Sequence, residues 1–258
     1  MPTKTKPAEH GMLFTAPLVR AIGEGLKTQT RRPVTPQPPD DGFAGPEWYE
    51  PLVIKRGEEV PGKPVFGIYS LDGEWGAASP YGGPGDLIYV RENFYIDDVR
   101  ADGPLPKERP DWLHDCDIYY PADAIGTGNW CCQLIGECCC AEVGVAKQRP
   151  SIHMPKWAAR YWLEIADVRV ERVQEISWED AAREGIEAYG GRDCPGCSKY
   201  FGCLKPHPPG GPCPTFACGY REHFCTTWNA IYADKGVGWN ANPWVWVYEF
   251  KKVEAPND

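Results

Sequence analysis

Apolar and polar side chains alternate most clearly in two segments, and both are predicted to be strands. In residues 87–95 every second side chain is apolar apart from Glu92, so one face of the extended segment is apolar with a single carboxylate on it. Residues 244–250 are aromatic and β-branched almost throughout, which is typical of a buried strand. Glu92 therefore lies either at an exposed strand end or in a polar pocket, and the pattern leaves both open.

Weaker alternation predicts further strands that begin at Met12, near Val65 and at Tyr161. The last of these segments, residues 161–173, is expected to form one or two strands and carries charged side chains over much of its length. Since charged side chains are seldom buried without a partner, we expect one of its faces to be exposed. The whole chain is expected to contain about five to seven strands.

A helical spacing of apolar side chains starts at Leu18 and reaches Leu26. Pro17 suits the first turn of such a helix. Pro33 limits the helix on the other side, because the residue before a proline is pushed out of the helical backbone conformation. We therefore expect a helix that ends before Arg32 and continues as an extended segment.

Two more helices are expected in the second half of the chain. Ser177 begins a sequence that resembles a capping box, and Gly185 ends the short helix that follows it. Residues 220–232 have the apolar spacing of the other helix. Its apolar face carries Phe224, Trp228 and Ile231.

The expected strands and helices do not alternate regularly, which favours an α+β arrangement around a small barrel over a doubly wound parallel sheet. We expect one domain over residues 12–252, with flexible tails at residues 1–11 and 253–258. Proline, glycine and cysteine are concentrated in long segments without a sustained period, which we expect to be irregular insertions. These insertions are residues 33–80, 97–150 and 189–219.

The composition is that of an ordinary globular protein, but the net charge restricts the range of possible functions. Of the 258 residues, 42% are hydrophobic and 24% are charged. There is no apolar run of the roughly 20 residues that a membrane span needs, and residues 1–11 do not resemble a signal peptide, so we expect a cytoplasmic protein. The net charge of −9 argues against a broad electrostatic grip on duplex DNA, but it leaves room for a local basic pocket that binds one nucleotide.

The 12 cysteines are clustered, which in an intracellular chain indicates metal ligands before disulfides. Cys194 and Cys197 form a C-x-x-C pair, and four thiolates can close a tetrahedral structural zinc site. The favoured ligands are Cys194, Cys197, Cys213 and Cys218, with Cys203 or His207 as substitutes.

A second cysteine cluster offers another metal site, with Cys132, Cys138 and Cys140 as candidate ligands. Adjacent cysteines point in different directions, so only some side chains of this cluster can bind one ion. An iron–sulfur cluster ranks behind zinc for these residues. A thiol-dependent enzyme is a third alternative, although His223 and Cys225 do not face each other on the helix expected there.

Residues 25–32 carry the strongest candidate chemistry, with a lysine, two threonines and two arginines at the end of the first expected helix. Such side chains on irregular backbone beside a rigid element are suited to binding an anion or a nucleotide. The alternative is a solvated basic helix terminus, because cations favour helix C-termini in any case.

Several segments together resemble the ASCH domain, which belongs to the PUA-like β-barrel superfamily. They are Gly25-x-Lys27-Thr28-x-Thr30-x-Arg32, the Gly85-Asp86 turn, the helix from Ile176 to Gly185 and the Val247-Tyr248-Glu249-Phe250 strand. Residues 151–155 and 239–246 are similar to a phage and prophage branch of that family. The resemblance covers residues 12–32, 83–95, 150–188 and 222–252.

The resemblance implies a cleft that accepts a nucleobase or a nucleotide. Some small bacterial members of the family are 4-acetylcytidine amidohydrolases, which use a lysine, a threonine and a glutamate. Lys27 and Thr30 match the first two residues. Glu184 matches the third if the capped helices align without a gap, and Glu179 and Glu187 lie near it in sequence. The substrate implied is an acylated or otherwise modified cytosine.

Amide hydrolysis requires a nucleophile, a base and a group that stabilises the oxyanion. Thr30 would attack, and Lys27 would accept its proton if the lysine pKa fell from about 10.4 toward about 7–8. Glu184 would orient Lys27 or protonate the departing amine. The candidate substrate-binding residues are Arg32, which would hold a phosphate or the oxyanion, Glu92, and Arg31, which is alternatively a solvated charge.

Two other functions stay open alongside the enzyme. The same side chains could bind RNA, DNA or a modified base without cleaving it, and the phage branch suggests an assembly protein. The partner expected of an enzyme or a binding protein is a modified nucleoside, a nucleotide or single-stranded nucleic acid. Structural zinc is the expected cofactor, and no organic cofactor is expected. The setting implied is the cytoplasm of a bacterial host or a phage-infected cell.

Overall fold

A computed structural model describes residues 6–39, 42–96, 104–111, 118–123, 147–186 and 216–256. Over these residues the fold is α+β and mostly sheet, which confirms the predicted class. The α-helices are α1 (Ala16–Gly23), α2 (Trp178–Arg183) and α3 (Phe216–Tyr232). The strands are β1 (Glu9–Leu13), β2 (Gln29–Pro33), β3 (Phe43–Tyr49), β4 (Leu52–Lys55), β5 (Glu58–Pro61), β6 (Val65–Ser70), β7 (Gly76–Ala78), β8 (Leu87–Arg91), β9 (Phe94–Ile96), β10 (Ile118–Tyr119), β11 (Lys147–Arg149), β12 (Trp162–Arg172) and β13 (Trp244–Val253).

The largest sheet has five strands in the order β1-β8-β12-β13-β2. The β1 strand runs parallel to β8, and the other neighbours in this sheet are antiparallel. The strand expected over residues 87–95 is divided, because β9 leaves β8 and joins a separate sheet with β10 and β11. The β3, β6 and β7 strands form a third sheet, and β4 and β5 form a hairpin.

Two expectations about individual segments are wrong. Residues 33–80 are not irregular, since they contain the strands from β3 to β7, of which only β6 was expected. These strands pair with one another in antiparallel register, so their proline and glycine residues interrupt strands without abolishing them. The large sheet also begins at Glu9, inside the segment expected to be a flexible tail. Residues 97–150 and 189–219 lie largely outside the described part of the chain.

The buried Asp86 explains why the sheet extends toward the N-terminus. Its two carboxylate oxygens accept hydrogen bonds from the backbone amides of Ala8, at 2.8 Å, and Gly83, at 3.0 Å. Its backbone carbonyl accepts from the amide of Ile165 at 2.9 Å. One aspartate therefore joins the start of β1, the turn before β8 and the middle of β12.

The β13 strand is covered on both faces, which explains its nearly unbroken apolar sequence. Val245 and Val247 pack in a cluster with side chains of α2 and α3. Trp246 and Tyr248 point the other way and belong to the main core, which includes α1 and parts of β1, β6, β8 and β12. The neighbouring β2 strand therefore also has two different faces, and this division determines what its side chains contact.

The short α2 helix is bounded as expected. The backbone amide of Asp180 donates to Ser177 Oγ at 3.1 Å, and Gly185 has the left-handed φ of 76° that commonly follows a helix. In α3, Phe224 and Trp228 are buried as expected, but Ile231 is 42% exposed and does not belong to the buried face.

The described sheets do not include a closed barrel, so the PUA-like barrel stays a prediction. None of the helices in the described ranges is long and apolar enough to cross a membrane.

Candidate functional site

Lys27 and Glu184 form a buried ion pair between segments that are far apart in sequence. Lys27 is only 3% exposed, and its Nζ donates to Glu184 Oε2 at 2.9 Å. The same nitrogen donates to two backbone carbonyl oxygens, that of Glu184 at 2.7 Å and that of Gln29 at 2.8 Å. A protonated lysine has three N–H donors, so all three are used here.

Local backbone geometry brings the two residues together. The helix α1 ends at Gly23, and the amides of both Leu26 and Lys27 donate to the carbonyl oxygen of Ala21. Gly185 then packs against this loop, where a Cβ atom would lie 2.8 Å from the Cβ of Lys27 and 2.9 Å from that of Ala21. Glycine is therefore needed both for the positive φ and for the close approach.

Arg31 is also buried, at 2% exposure, and is surrounded by carboxylates. Its guanidinium donates at 3.0 Å to Glu171 Oε1, to Asp180 Oδ2 and to Glu184 Oε1. The prediction of a solvated basic helix terminus is therefore wrong for both Lys27 and Arg31. Because Arg31 holds one oxygen of Glu184 and Lys27 binds the other, Arg31 positions the glutamate for the lysine.

A second arginine, Arg169 of β12, extends this network toward solvent. It donates to Asp180 Oδ2 at 2.7 Å, to Glu171 Oε2 at 3.3 Å and to Glu249 Oε1. The charged side chains of β12 predicted an exposed face, and Asp167 is exposed. Glu171, however, is a partner of the buried Arg31, and the local pattern could not identify a partner 140 positions away.

Thr30 lies on the other face of β2. It pairs in register with Tyr248, which belongs to the main core, whereas Arg31 pairs with Val247. Thr30 is 1% exposed, and none of the hydrogen bonds within the described residues involves its hydroxyl group. That hydroxyl is therefore not engaged in holding the fold together.

Arg32 shares this face of β2 and is half-buried. Its guanidinium donates to the carbonyl oxygens of Leu13, at 3.0 Å, and of Arg31, at 3.2 Å. It also lies 5.4 Å from the ring centre of Phe14, and Lys27 Nζ lies 5.8 Å from the same centre. Arg32 and Lys27 therefore flank one aromatic ring, which places Arg32 beside the Lys27–Glu184 pair.

The environment shifts the pKa of Lys27 in the direction that a general base needs. Burial lowers the pKa of Lys27 below its ordinary value, and the negative charge of Glu184 opposes this effect only in part. The positive charges of Arg32 and Arg31 lower the pKa further.

Burial also lowers the pKa of Arg31, but the neighbouring carboxylates raise it by more. The charges of Glu184, Glu171 and Asp180 outweigh burial, so the pKa of Arg31 is raised and the side chain stays protonated. The two neighbouring cations therefore behave differently, because Arg31 contacts three carboxylates and Lys27 contacts one.

Glu92 is buried, which agrees with a polar pocket and not with an exposed strand end. Its carboxylate receives hydrogen bonds from Arg160 Nε at 2.8 Å and from Arg160 Nη2 at 3.2 Å. Arg160 in turn lies 4.4 Å from the ring centre of Tyr120. The structure thus joins Lys27 and Arg31 to Glu184 but places Glu92 in a separate ion pair with Arg160.

The predicted metal ligands lie outside the residues whose side chains are described. This holds for Cys132, Cys138, Cys140, Cys194, Cys197, Cys203 and Cys213, and for Cys218, which is in α3 but whose side chain is not described. In the part of the chain that is described, no group of three or more histidine, cysteine, aspartate or glutamate side chains could hold a metal ion. Both metal sites therefore stay predictions.

Comparisons with protein-family models, with curated proteins and with solved structures give no significant match. The candidate site rests on its own geometry. The sequence did not reveal that Glu171, Asp180 and Arg169 belong to the ion network. For Glu171 and Arg169 a signal did exist, since charged side chains in the middle of a strand require buried partners or solvent.

Proposed function

We propose that this protein is an amidohydrolase of the ASCH type that removes an acyl group from a modified cytosine, with a PUA-like barrel as its fold. The observation that carries the proposal is the buried Lys27–Glu184 pair, in which burial lowers the pKa of the lysine. Lysines serve as general bases when such a shift brings their pKa near the working pH. Thr30 lies three residues further along, on the face of β2 that also carries Arg32.

In the first half-reaction Thr30 Oγ attacks the acyl carbonyl carbon, and its proton passes to the neutral amine of Lys27. The tetrahedral intermediate then collapses, the bond from carbon to the exocyclic nitrogen of cytosine breaks, and the proton on Lys27 passes to that nitrogen. The products of this step are cytosine and an ester on Thr30. Arg32 is the candidate to stabilise the developing negative charge, because a guanidinium presents fixed N–H donors.

In the second half-reaction a water molecule attacks the ester on Thr30. Lys27 accepts one proton from the water and returns it to Thr30 Oγ as the ester bond breaks. The acyl group leaves as a carboxylic acid, and the enzyme returns to its starting state. Glu184 acts as the orienting group, since its carboxylate binds Lys27 while Arg31 fixes its second oxygen.

A binding protein that does not cleave its ligand is the second candidate, and one observation favours it. All three donors of a protonated Lys27 are satisfied by protein oxygens, as suits a structural ammonium group. In that case Thr30 and Arg32 would grip RNA, DNA or a modified base. Structural zinc in the cysteine-rich insertions is compatible with both candidates, and we propose it for either.

The decisive experiment incubates the folded, purified protein with 4-acetylcytidine, with other 4-acylated cytidines and with acylated oligonucleotides. The enzyme proposal expects release of cytidine and the corresponding acid. It also expects that Thr30→Val, which keeps the shape but removes the hydroxyl, abolishes turnover and retains binding. No product from any of these substrates, with a cooperatively folding sample, would falsify the enzyme and leave the binding protein.

A further inference from the structure

The β4–β5 hairpin exposes apolar side chains and lies outside the core clusters of the described residues. Leu52 is 68% exposed and Ile54 is 77% exposed, and both lie on one face because they are two positions apart in a strand. On the other face Val53 pairs with Val60, and both are only half-buried. An isolated two-stranded hairpin is at best marginally stable in water, so this hairpin would gain from a partner that covers it.

The tight turn of the hairpin fixes the pairing of its two strands. Arg56 and Gly57 both have positive φ, at 57° and 88°, as in the two-residue turn that matches the twist of antiparallel strands. The four residues of β4 pair with the four residues of β5 without a bulge. The direction of each backbone group in the hairpin therefore follows from this register.

The backbone groups of Leu52 and Ile54 point away from β5. The amide of Gly62 donates to the carbonyl oxygen of Pro51 at 2.8 Å, so this carbonyl group faces β5. Backbone groups alternate in direction along a strand, so those of Val53 also face β5, whereas those of Leu52 and Ile54 face outward. Among the described strands, none pairs with this outer edge of β4.

The outer edge of β5 is protected against pairing, but that of β4 is not. By the same alternation, Glu59 and Pro61 are the outward positions of β5. Proline has no amide to donate, and charged side chains and prolines are features that prevent pairing at sheet edges. On β4 the outward positions are the exposed Leu52 and Ile54. The hairpin is therefore open to strand pairing along β4.

The free edge of β4 is complementary to itself. If two copies pair in antiparallel fashion about a twofold axis at Val53, Leu52 of each copy faces the partner's Ile54. Each such pair exchanges two hydrogen bonds and brings two exposed apolar side chains into contact. In the same register Glu50 faces the partner's Arg56. Both of these charged side chains are exposed, and within the described residues neither takes part in an ion pair.

Other antiparallel registers of the same two strands are less favourable. A shift by two residues places Ile54 opposite Glu50 or Leu52 opposite Arg56, so that an apolar side chain faces a charged one. A shift by one residue brings outward backbone groups opposite inward ones. The register centred on Val53 therefore joins both apolar pairs and both pairs of opposite charge.

We infer that β4 is a self-association surface, through which two copies of this protein form a twofold-symmetric dimer with the strand order β5-β4-β4-β5. The partner is a second copy, and the pairing is the antiparallel one centred on Val53. No residue of the candidate site takes part, so the inference does not depend on the proposed function. A pair of four-residue strands is smaller than a standard interface, so we expect a weak dimer with a dissociation constant in the micromolar range or above.

Sedimentation equilibrium of the full-length protein in reducing buffer, from micromolar to submillimolar concentration, tests the inference. The unaltered protein should show a monomer–dimer equilibrium. Ile54→Lys adds a charge to the free edge and alters two contacts by symmetry, so it should raise the dissociation constant about tenfold or more. The matched control Leu71→Lys adds the same charge at an 80% exposed leucine outside the hairpin and should leave the constant unchanged. A protein that stays monomeric throughout, or a dimer that both variants affect equally, overturns the inference.

Charge reversals test the register. Glu50→Arg and Arg56→Glu each place like charges opposite one another, so each should weaken the dimer several-fold. The double variant restores opposite charges and should recover most of the original affinity. Both positions are exposed, so the substitutions should leave the fold intact. If the double variant is no tighter than the single variants, the pairing centred on Val53 is overturned.

Hydrogen exchange gives a direct readout on the unaltered protein. The amides of Leu52 and Ile54 face outward in the monomer, and pairing with a second copy would protect them. Their protection should therefore increase with protein concentration, whereas that of the amide of Val53, which faces β5, should change less. Exchange at Leu52 and Ile54 that is independent of concentration contradicts the inference.

Discussion

Replacing Glu184 by glutamine removes one negative charge from the centre of the ion network while keeping the shape of the side chain. Lys27 then keeps two carbonyl acceptors but has no carboxylate, whereas Arg31 keeps Glu171 and Asp180. Lys27 is therefore the group that the substitution affects most. Glu171→Gln is the matched control, because it also removes a carboxylate from Arg31 but none from Lys27.

The expected loss follows from the burial of the pair. Removing one partner of a buried ion pair costs about 3–5 kcal/mol, because it leaves an uncompensated charge. For a domain of this size class that corresponds to a decrease of roughly 6–20 °C in the melting temperature. We expect Glu184→Gln to reach this range at pH 7 and Glu171→Gln to fall below it, since Glu171 is nearer to solvent and Arg31 retains two carboxylates.

The pH dependence is the sharper part of the prediction. The pKa of Lys27 is lower in the folded protein than its ordinary value of 10.5, so between these two values the unfolded chain binds more protons and stability rises with pH. Because Glu184 raises that pKa, its loss lowers the pKa further and widens this interval toward lower pH. The stability deficit of Glu184→Gln should therefore be largest where Lys27 is protonated in both proteins, and it should shrink as the pH rises toward the ordinary pKa of 10.5.

The loss of unfolding free energy and its change with pH can both be measured by urea unfolding. The transition is followed by tryptophan fluorescence, in reducing buffer at several pH values. The deficit of Glu171→Gln should change less over the same interval, because Glu171 binds Arg31 and the carboxylate that acts directly on Lys27 is Glu184. If both variants lose the same stability and neither deficit changes with pH, Glu184 does not hold the proton on Lys27. The proposed role of Glu184 would then have to be abandoned.

Three further predictions concern the framework and the metal. Gly185→Ala should lower the free energy of unfolding by about 2–4 kcal/mol in thermal unfolding, because the added Cβ meets both a positive φ and the side chain of Lys27. The control Gly25→Ala has the same φ but open space around it, so it should lower the free energy of unfolding by only about 1–2 kcal/mol. Asp86→Ala should remove hydrogen-exchange protection from β1, and unchanged protection would contradict its role as the link between β1 and β8. Elemental analysis should find stoichiometric zinc, with a lower melting temperature after chelation, and a fully active, metal-free protein would exclude the predicted sites.

The sequence predicted those elements whose signals are local. The capped helix α2 and the strand β13 were found because a capping residue, a terminal glycine and a long apolar run act over a few neighbouring positions. The strands between residues 43 and 78 were missed because they are stabilised by one another and interrupted by glycine and proline. Likewise the start of β1 depends on Asp86, 78 residues away from Ala8.

In the candidate site, too, contacts between residues distant in sequence could not be predicted from local patterns. Lys27, Thr30 and Glu184 were singled out by resemblance to a family, since no local pattern connects residues 157 positions apart. The burial of Arg31 could not be predicted at all, because an arginine is buried only where carboxylates meet it, and its partners come from β12, α2 and the end of α2.

Side chains of β2 alternate between the two faces of the sheet, so this short strand can contribute to the stability of the fold on one face and to ligand binding on the other. On one face Arg31 binds three carboxylates and fixes Glu184, so this face is structural. On the other face, within the described part of the chain, the Thr30 hydroxyl makes no hydrogen bond and the Arg32 guanidinium binds carbonyl oxygens but no carboxylate, so these two groups are the candidates to contact a ligand. Lys27 precedes the strand and contacts Glu184 from the structural side, while lying near the same aromatic ring as Arg32. The ion network on one face of β2 therefore sets the protonation state of Lys27. A ligand bound at the other face would meet Lys27 in that protonation state.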